Sequence, residues 1–330
     1  MVQARAGRCL APIGFRALPL PLAQLSLEAV LQCGQSFRWN IFPLSFDSAS
    51  SETPAREYRL CLRDRVVCLR QSPEALFYRS VFPVPPSPES LDRREAETEA
   101  WIRDYFQLNV DLVALYEQWA KRDPVFQRHC SERFSGIRML RQDPWENLIS
   151  YVIPRLSPCY RHAETTGLRF ICSSNNNIAR ITKMVKGLCQ HYSPALVSLP
   201  RPTSSESVPE TDTYHAFPPP SVLAAPEVTA TLRSLGFGYR ADFIHKTAKM
   251  LVEAHGSGKP GESGNEPAER WLHTLRAMST SEAREELLKL MGVGRKVADC
   301  ILLMSLDKVC CTTVLGSVIF KTRHRKTLYP

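Results

Sequence analysis

Apolar and polar positions alternate over the first quarter of the chain, and then the period changes. Ser36-Phe37-Arg38-Trp39-Asn40 alternates, as do Tyr58-Arg59-Leu60-Cys61-Leu62-Arg63 and residues 66–70. A period of two predicts strands, and one polar face per strand predicts an antiparallel sheet with one wet side. Arg63-Asp64-Arg65 stands between two of these runs as a turn. After a proline-rich stretch over 83–88 the pattern becomes helical, at 100–106, 113–119 and 123–134. Asp143-Pro144-Trp145-Glu146 marks a helix start: a capping carboxylate, proline at the first helical position and glutamate at the third. That helix is expected to run through Leu148, Ile149 and Tyr151. Pro154 and Pro158 do not fit inside it, so 152–169 reads as an insertion. The helical period resumes at 178–189, 223–235 and 241–253, while 200–212 and 256–267 have the composition of surface loops.

The sharpest local pattern lies over 279–303, as helix, tight turn, helix. Ser281 is placed to cap the first helix, with Glu282, Glu285 and Glu286 in its first turns. Leu287, Leu288 and Met291 form its apolar stripe. Gly292 and Gly294, on either side of Val293, let the chain turn sharply and leave backbone N–H groups uncovered. The second helix is expected from Arg295, burying Val297, Ala298, Ile301 and Leu302. A bare Gly-x-Gly between helices is an ordinary hairpin. Arg295-Lys296 and the apolar helix behind them favour instead a helix-hairpin-helix, whose N-terminus suits a nucleic-acid phosphate. Lys296 then has two roles open to it. It can be a phosphate contact, or an amine nucleophile, because the helix N-terminus and Arg295 both disfavour its ammonium form. Cys300, four residues on, shares a helix face with Lys296 and either lines the same pocket or fills core.

Composition narrows the class. The chain has 330 residues, 44% of them hydrophobic, a net charge of +9 and a pI near 9.1. It is long enough for one large domain or two, and its charge favours a polyanionic partner. Eleven cysteines form no CxxC pair and no His/Cys cluster at ligand spacing, so no metal and no cofactor is expected, and the thiols read as reduced. No apolar run approaches a membrane span, and no membrane partner is expected. The first 27 residues hold three arginines and no acid. This reads as a basic, unstructured N-terminus, with a mitochondrial presequence as the alternative.

Four motifs now fall into one order: Gly34-Gln35-Ser36-Phe37-Arg38-Trp39; Ser173-Ser174-Asn175-Asn176-Asn177-Ile178-Ala179-Arg180-Ile181; Leu235-Gly236-Phe237-Gly238-Tyr239-Arg240-Ala241; and Gly292-Val293-Gly294-Arg295-Lys296-Val297-Ala298-Asp299-Cys300. Together they resemble the eukaryotic 8-oxoguanine DNA glycosylases, base-excision repair enzymes, over roughly residues 17–308. The resemblance implies an α+β fold: an N-terminal antiparallel β-sheet domain joined to an α-helical helix-hairpin-helix domain. It divides the chain into a basic N-terminus (1–16), a β-rich domain (17–141), a hairpin domain (142–308) with the insertion near 152–169, and a divergent basic tail (309–330). The partner it implies is double-stranded DNA containing oxidised guanine, met by a monomer in the nucleus, with the mitochondrion as alternative.

Roles follow from the same resemblance. Lys296 would attack the sugar C1′ and hold it as a Schiff base. The Gly34 carbonyl would accept from the N7–H that marks the oxidised base, and Cys300 would line the pocket. Asn175 and Arg180 would address the cytosine left opposite. Tyr239 would wedge into the base stack, Arg240 would also face that cytosine, and Gly292, Val293 and Gly294 would hold the backbone. Asn and Arg carry the paired donors and acceptors that read a Watson–Crick edge. An aromatic wedge replaces stacking worth about 1–3 kcal/mol per base.

The chain also departs from that pattern. The resemblance implies a catalytic aspartate about nineteen residues after the lysine, and that offset lands on Leu315. The last acidic residue is Asp307, and after Lys308 the likeness stops. Met291 stands where a hairpin proline is usual. The expectation is a C-terminally divergent or truncated form with impaired activity; the alternative is a damaged-DNA-binding protein without chemistry.

Overall fold

Two of the three segments with a period of two form strands, and those with a helical period carry helices. The computed structural model describes residues 11–44, 54–129, 134–152, 178–202, 210–257 and 264–308. The chain divides into two compact units, Met1–Leu140 with Pro194–Ala216, and Arg141–Ser193 with Phe217–Pro330. The insertion over 153–169, Asn175 and the tail over 309–330 lie outside the described residues.

The first unit is built on five antiparallel strands, β1 (Arg16–Pro19), β2 (Asn40–Pro43), β3 (Arg56–Cys61), β4 (Val66–Gln71) and β5 (Ala75–Val81), in the order β1-β5-β4-β3-β2. The turn expected at 63–65 joins β3 to β4, with the Leu62 N–H donating to the Arg65 carbonyl at 2.8 Å. Four helices accompany the sheet: α1 (Leu27–Leu31), α2 (Pro88–Tyr105), α3 (Leu112–Arg122) and α4 (Pro124–His129). One sheet face, with Leu60, Leu69 and Leu76, joins Val30 of α1 and Ile102 of α2 in a single core.

Two expectations are corrected in this unit. Residues 36–39 are not strand, which begins at Asn40. All four are buried, and side chains anchor them instead of a ladder: Arg38 donates to the Cys61 carbonyl, and Trp39 Nε1 donates to the Tyr105 hydroxyl at 3.1 Å. Nor is the second sheet face wet. A hairpin of β6 (Ala195–Pro200) and β7 (Thr211–His215) brings Tyr214 onto Phe15, Cys61, Val66, Cys68 and Phe77. The stretch 200–212, expected as a loop, therefore includes the last residue of β6 and the first two of β7. Arg59 ties the hairpin down, donating to the Pro200 carbonyl at 2.8 Å and to Glu57 at 2.5 Å. Arg70 meets the other oxygen of Glu57 at 2.5 Å.

The second unit is helical: α5 (Pro144–Val152), α6 (Ile178–Tyr192), α7 (Pro220–Leu223), α8 (Val228–Ser234), α9 (Arg240–His255), α10 (Pro267–Thr274), α11 (Thr280–Lys289) and α12 (Arg295–Ser305). Asp143 Oδ1 accepts from the Glu146 N–H at 2.9 Å, capping α5 as its sequence predicts. The helix expected over 223–235 is two, α7 and α8, because Pro226 cannot continue α7. Helix α5 packs on α12, where Asn147 Nδ2 donates to Ser305 Oγ at 2.5 Å. A sheet in the first unit and a helical second unit make the α+β class expected from the sequence. Among the described residues no helix is long and apolar enough to cross a membrane, and no group of three or more His, Cys, Asp or Glu could hold a metal ion.

Candidate nucleic-acid interface

The hairpin over 279–305 has a defined start, turn and second start. Its first helix is capped by Ser279, not Ser281: Ser279 Oγ accepts from the Glu282 N–H at 3.3 Å, and Glu282 Oε2 accepts from the Ser279 N–H at 2.9 Å. This reciprocal pair needs its acid three residues after the cap, which Ser279 has and Ser281 does not. It also holds the Glu282 carboxyl below the usual glutamate range. At the far end the Val293 N–H donates to the Leu290 carbonyl at 3.2 Å, and Gly292 has φ of 81°. That is the pattern of a type II turn, whose third residue must be left-handed. Leu290 and Val293 are buried on either side, so the turn is anchored by its flanks.

Helix α12 then starts without a side-chain cap at Gly294. Its first N–H groups have no intrahelical acceptor, and among the described residues no side chain supplies one. A Cβ added at Gly294 would meet nothing within 4 Å. Arg295 and Lys296 are exposed at this end. The result is an open array of amides and two cations, suited to an anion. Cys300 lies a turn further, half-buried. Burial pushes its thiol up, while the Lys296 ammonium pulls it down. Asp299 turns inward to Arg284 of α11, at 3.1 Å, and pins the two helices together.

Residues 235–240 form the second element of this unit. Gly236 and Gly238 both have positive φ, 88° and 59°, and Phe237 between them is fully buried. The anchored ring and the two left-handed glycines bring Tyr239 out to 48% exposure at the start of α9. Arg233 and Asp242 brace the loop with two hydrogen bonds, at 3.0 and 2.7 Å. Arg240 lies over the Tyr239 ring, 5.0 Å from its centroid. Arg180 is exposed in the first turn of α6.

Gly34 belongs to the first unit. It is half-buried, with φ of 88°, just beyond α1. Its neighbour Gln35 holds the loop: the buried carboxamide donates to the Arg138 carbonyl at 2.9 Å and accepts from the Leu140 N–H at 3.0 Å. Sequence reasoning gave Gln35 no part of its own, although it lies inside the first motif. It also passed over Phe243, which packs between Tyr239 and Gly292. The spacing of four residues from Tyr239 along a helix was the available signal.

Comparison with known proteins agrees with this layout. Residues 17–148 match the 8-oxoguanine DNA glycosylase N-terminal domain, and residues 168–303 match the HhH-GPD superfamily of base excision DNA repair proteins. An N-glycosylase/DNA lyase of Saccharomyces cerevisiae is 33% identical over 88% of this chain and 66% of its own length. The N-glycosylase/DNA lyase OGG1 of Arabidopsis thaliana is 33% identical over 88% of this chain and 63% of its own. The chain thus spans just under two thirds of these relatives. The fold is shared with Clostridium acetobutylicum 8-oxoguanine glycosylase/lyase, solved with double-stranded DNA containing cytosine opposite 8-oxoguanine; its TM-score is 0.60 at 21% identity, over 93% of this chain and 82% of that one. With both its sheet unit and its hairpin unit matched in order, the chain belongs to the 8-oxoguanine DNA glycosylase family of HhH-GPD base excision repair proteins.

Proposed function

We propose that the chain is a bifunctional DNA N-glycosylase/DNA lyase that removes 8-oxoguanine opposite cytosine, with low turnover in this form. The observation that carries this reading is the uncapped start of α12, where Gly292, Val293 and Gly294 lead into an exposed Lys296 with Cys300 one turn behind. The turn amides hold a phosphate. The damaged nucleotide leaves the stack, Tyr239 fills the gap, and Arg180, Arg240 and Asn175 address the cytosine. The Gly34 carbonyl accepts the N7–H of the flipped base. The neutral Lys296 amine attacks C1′ and the glycosidic bond breaks. The base departs with that electron pair and takes up a proton. Loss of the second amine proton and opening of the sugar ring give an imine, and removal of a C2′ proton expels the 3′ phosphate. Position 315 is leucine, so the carboxylate that would offset positive charge on the sugar is absent there, and the chemical step is slow.

A second reading has its own observation. Among the described residues Lys296 forms no ion pair with a carboxylate, and such a site can bind damaged DNA without cutting it. Borohydride trapping separates the two, using the purified chain, a duplex with 8-oxoguanine opposite cytosine, and Lys296→Gln as control. A covalent product lost in the variant supports the glycosylase/lyase. Selective, salt-sensitive binding without a trapped product supports the binding protein. The compartment we propose is the nucleus, with the mitochondrion as alternative, and imaging of the tagged chain decides between them.

A further inference from the structure

Phe243 stands on α9 four residues after Tyr239 and four before Thr247, a stripe along one helix face. Its ring meets Tyr239 edge-on, with centroids 5.9 Å apart and planes at 83°. On the hairpin side, a Cβ added at Gly292 would come to 2.9 Å from Phe243 Cβ and 3.0 Å from its Cγ. The ring therefore lies flush against the glycine backbone of the turn. One helical turn on, Thr247 is fully buried and its Oγ1 donates to the Met291 carbonyl at 2.6 Å. The exposed Tyr239 and the turn that leads into the uncapped amides are thus joined through one side chain. Close-packed groups of this kind transmit displacement and do not absorb it. A shift of Tyr239 toward the Phe243 ring meets Gly292, where no space remains.

We infer that Phe243 is a positioning residue that couples insertion of Tyr239 to the set of the hairpin turn. Damage recognition and backbone grip then reinforce each other. The consequence for DNA rests on the function proposed above; the coupling itself rests on the packing alone. Two measurements on the full chain test it separately. In the first, hydrogen exchange of the Val293 amide reports the turn without DNA. Tyr239→Ala speeds that exchange in the native background and has no effect once Phe243→Leu is present. Equal effects of Tyr239→Ala in both backgrounds overturn the coupling.

In the second, affinity is compared between an undamaged duplex and one carrying a tetrahydrofuran abasic-site analogue opposite cytosine. Phe243→Leu lowers the preference for the damaged duplex by about threefold to tenfold, the worth of a lost aromatic pair. Phe243→Tyr keeps the ring and restores it. A parallel loss on both duplexes, or no rescue by tyrosine, means that Phe243 is packing only. A native chain with no preference for the damaged duplex sinks the DNA proposal, and the exchange result still decides the coupling.

Discussion

Four arginines of the first unit and two cations of the second are used in opposite ways. In the first, Arg38, Arg59, Arg65 and Arg138 are all buried, and each is held by carbonyls or carboxylates. Phe15 lies under two more, with Arg70 and Arg79 4.6 and 5.0 Å from its centroid. In the second unit Arg295 and Lys296 stand exposed at an uncapped helix start, and among the described residues neither forms an ion pair. Net charge is therefore a poor guide to function in this chain. A guanidinium inside the sheet fixes a hairpin; the same charge beside free amides offers a site to a polyanion. Burial, together with what each cation touches, separates the two uses.

The largest effect that tests this contrast comes from Glu57. It is fully buried between Arg59 and Arg70. Glu57→Ala leaves Arg59 desolvated without its counter-charge, a loss of about 3–5 kcal/mol, read as a lower urea midpoint. An equally large loss from Lys296→Gln would break the comparison, since an exposed cation should contribute within about 0.5 kcal/mol.

Next come the hairpin glycines, which separate stability from binding. Gly292→Ala forces a side chain into left-handed backbone and against Phe243, at a cost of about 2–4 kcal/mol. Gly294→Ala meets nothing within 4 Å and, at a helix start where glycine outranks alanine, costs no more than about 1 kcal/mol of unfolding free energy. Its methyl group stands where a phosphate would approach, so duplex affinity falls while stability changes little. A larger loss of stability at Gly294, or unchanged affinity, would show that the open side of the turn is not the binding side.

These contrasts also mark where sequence reasoning reaches and where it stops. The strands β3 and β4, the cap at Asp143 and the turn at Gly292 are local events, set by period and by single residues, and the sequence carries them. The hairpin over 195–215 is not local. Its strands sit beside Pro, Ser and Glu, and what makes them strands is a distant sheet face holding Phe15, Val66 and Phe77. Arg38 and Arg59 alternate like solvent-facing residues, and the partners brought by that hairpin, by Glu57 and by Cys61 account for their burial. At the site, glycines, lysine and tyrosine stood out by motif. Gln35 and Phe243 did not, because their parts depend on what they touch.

The smallest expected effect is a difference between two thiols, and it carries the comparison to single atoms. Burial pushes the Cys68 thiol in β4 up to about 11 and also raises Cys300, where Lys296 pulls the other way. A thiol raised on folding favours the protonated form in the native state. Its contribution to stability is full below the unfolded thiol range and is lost as pH rises through the folded value. Only the thiolate is alkylated, so iodoacetamide labelling of folded protein should rise with pH at Cys300 before it does at Cys68. Lys296→Gln removes the charge that lowers Cys300 and should move its labelling profile to higher pH, leaving Cys68 where it was. Peptide mass spectrometry across a pH series reads both sites in one sample. A Cys300 profile unmoved by Lys296→Gln would mean that the ammonium does not reach the thiol, and the shared face of α12 would lose its support as one site.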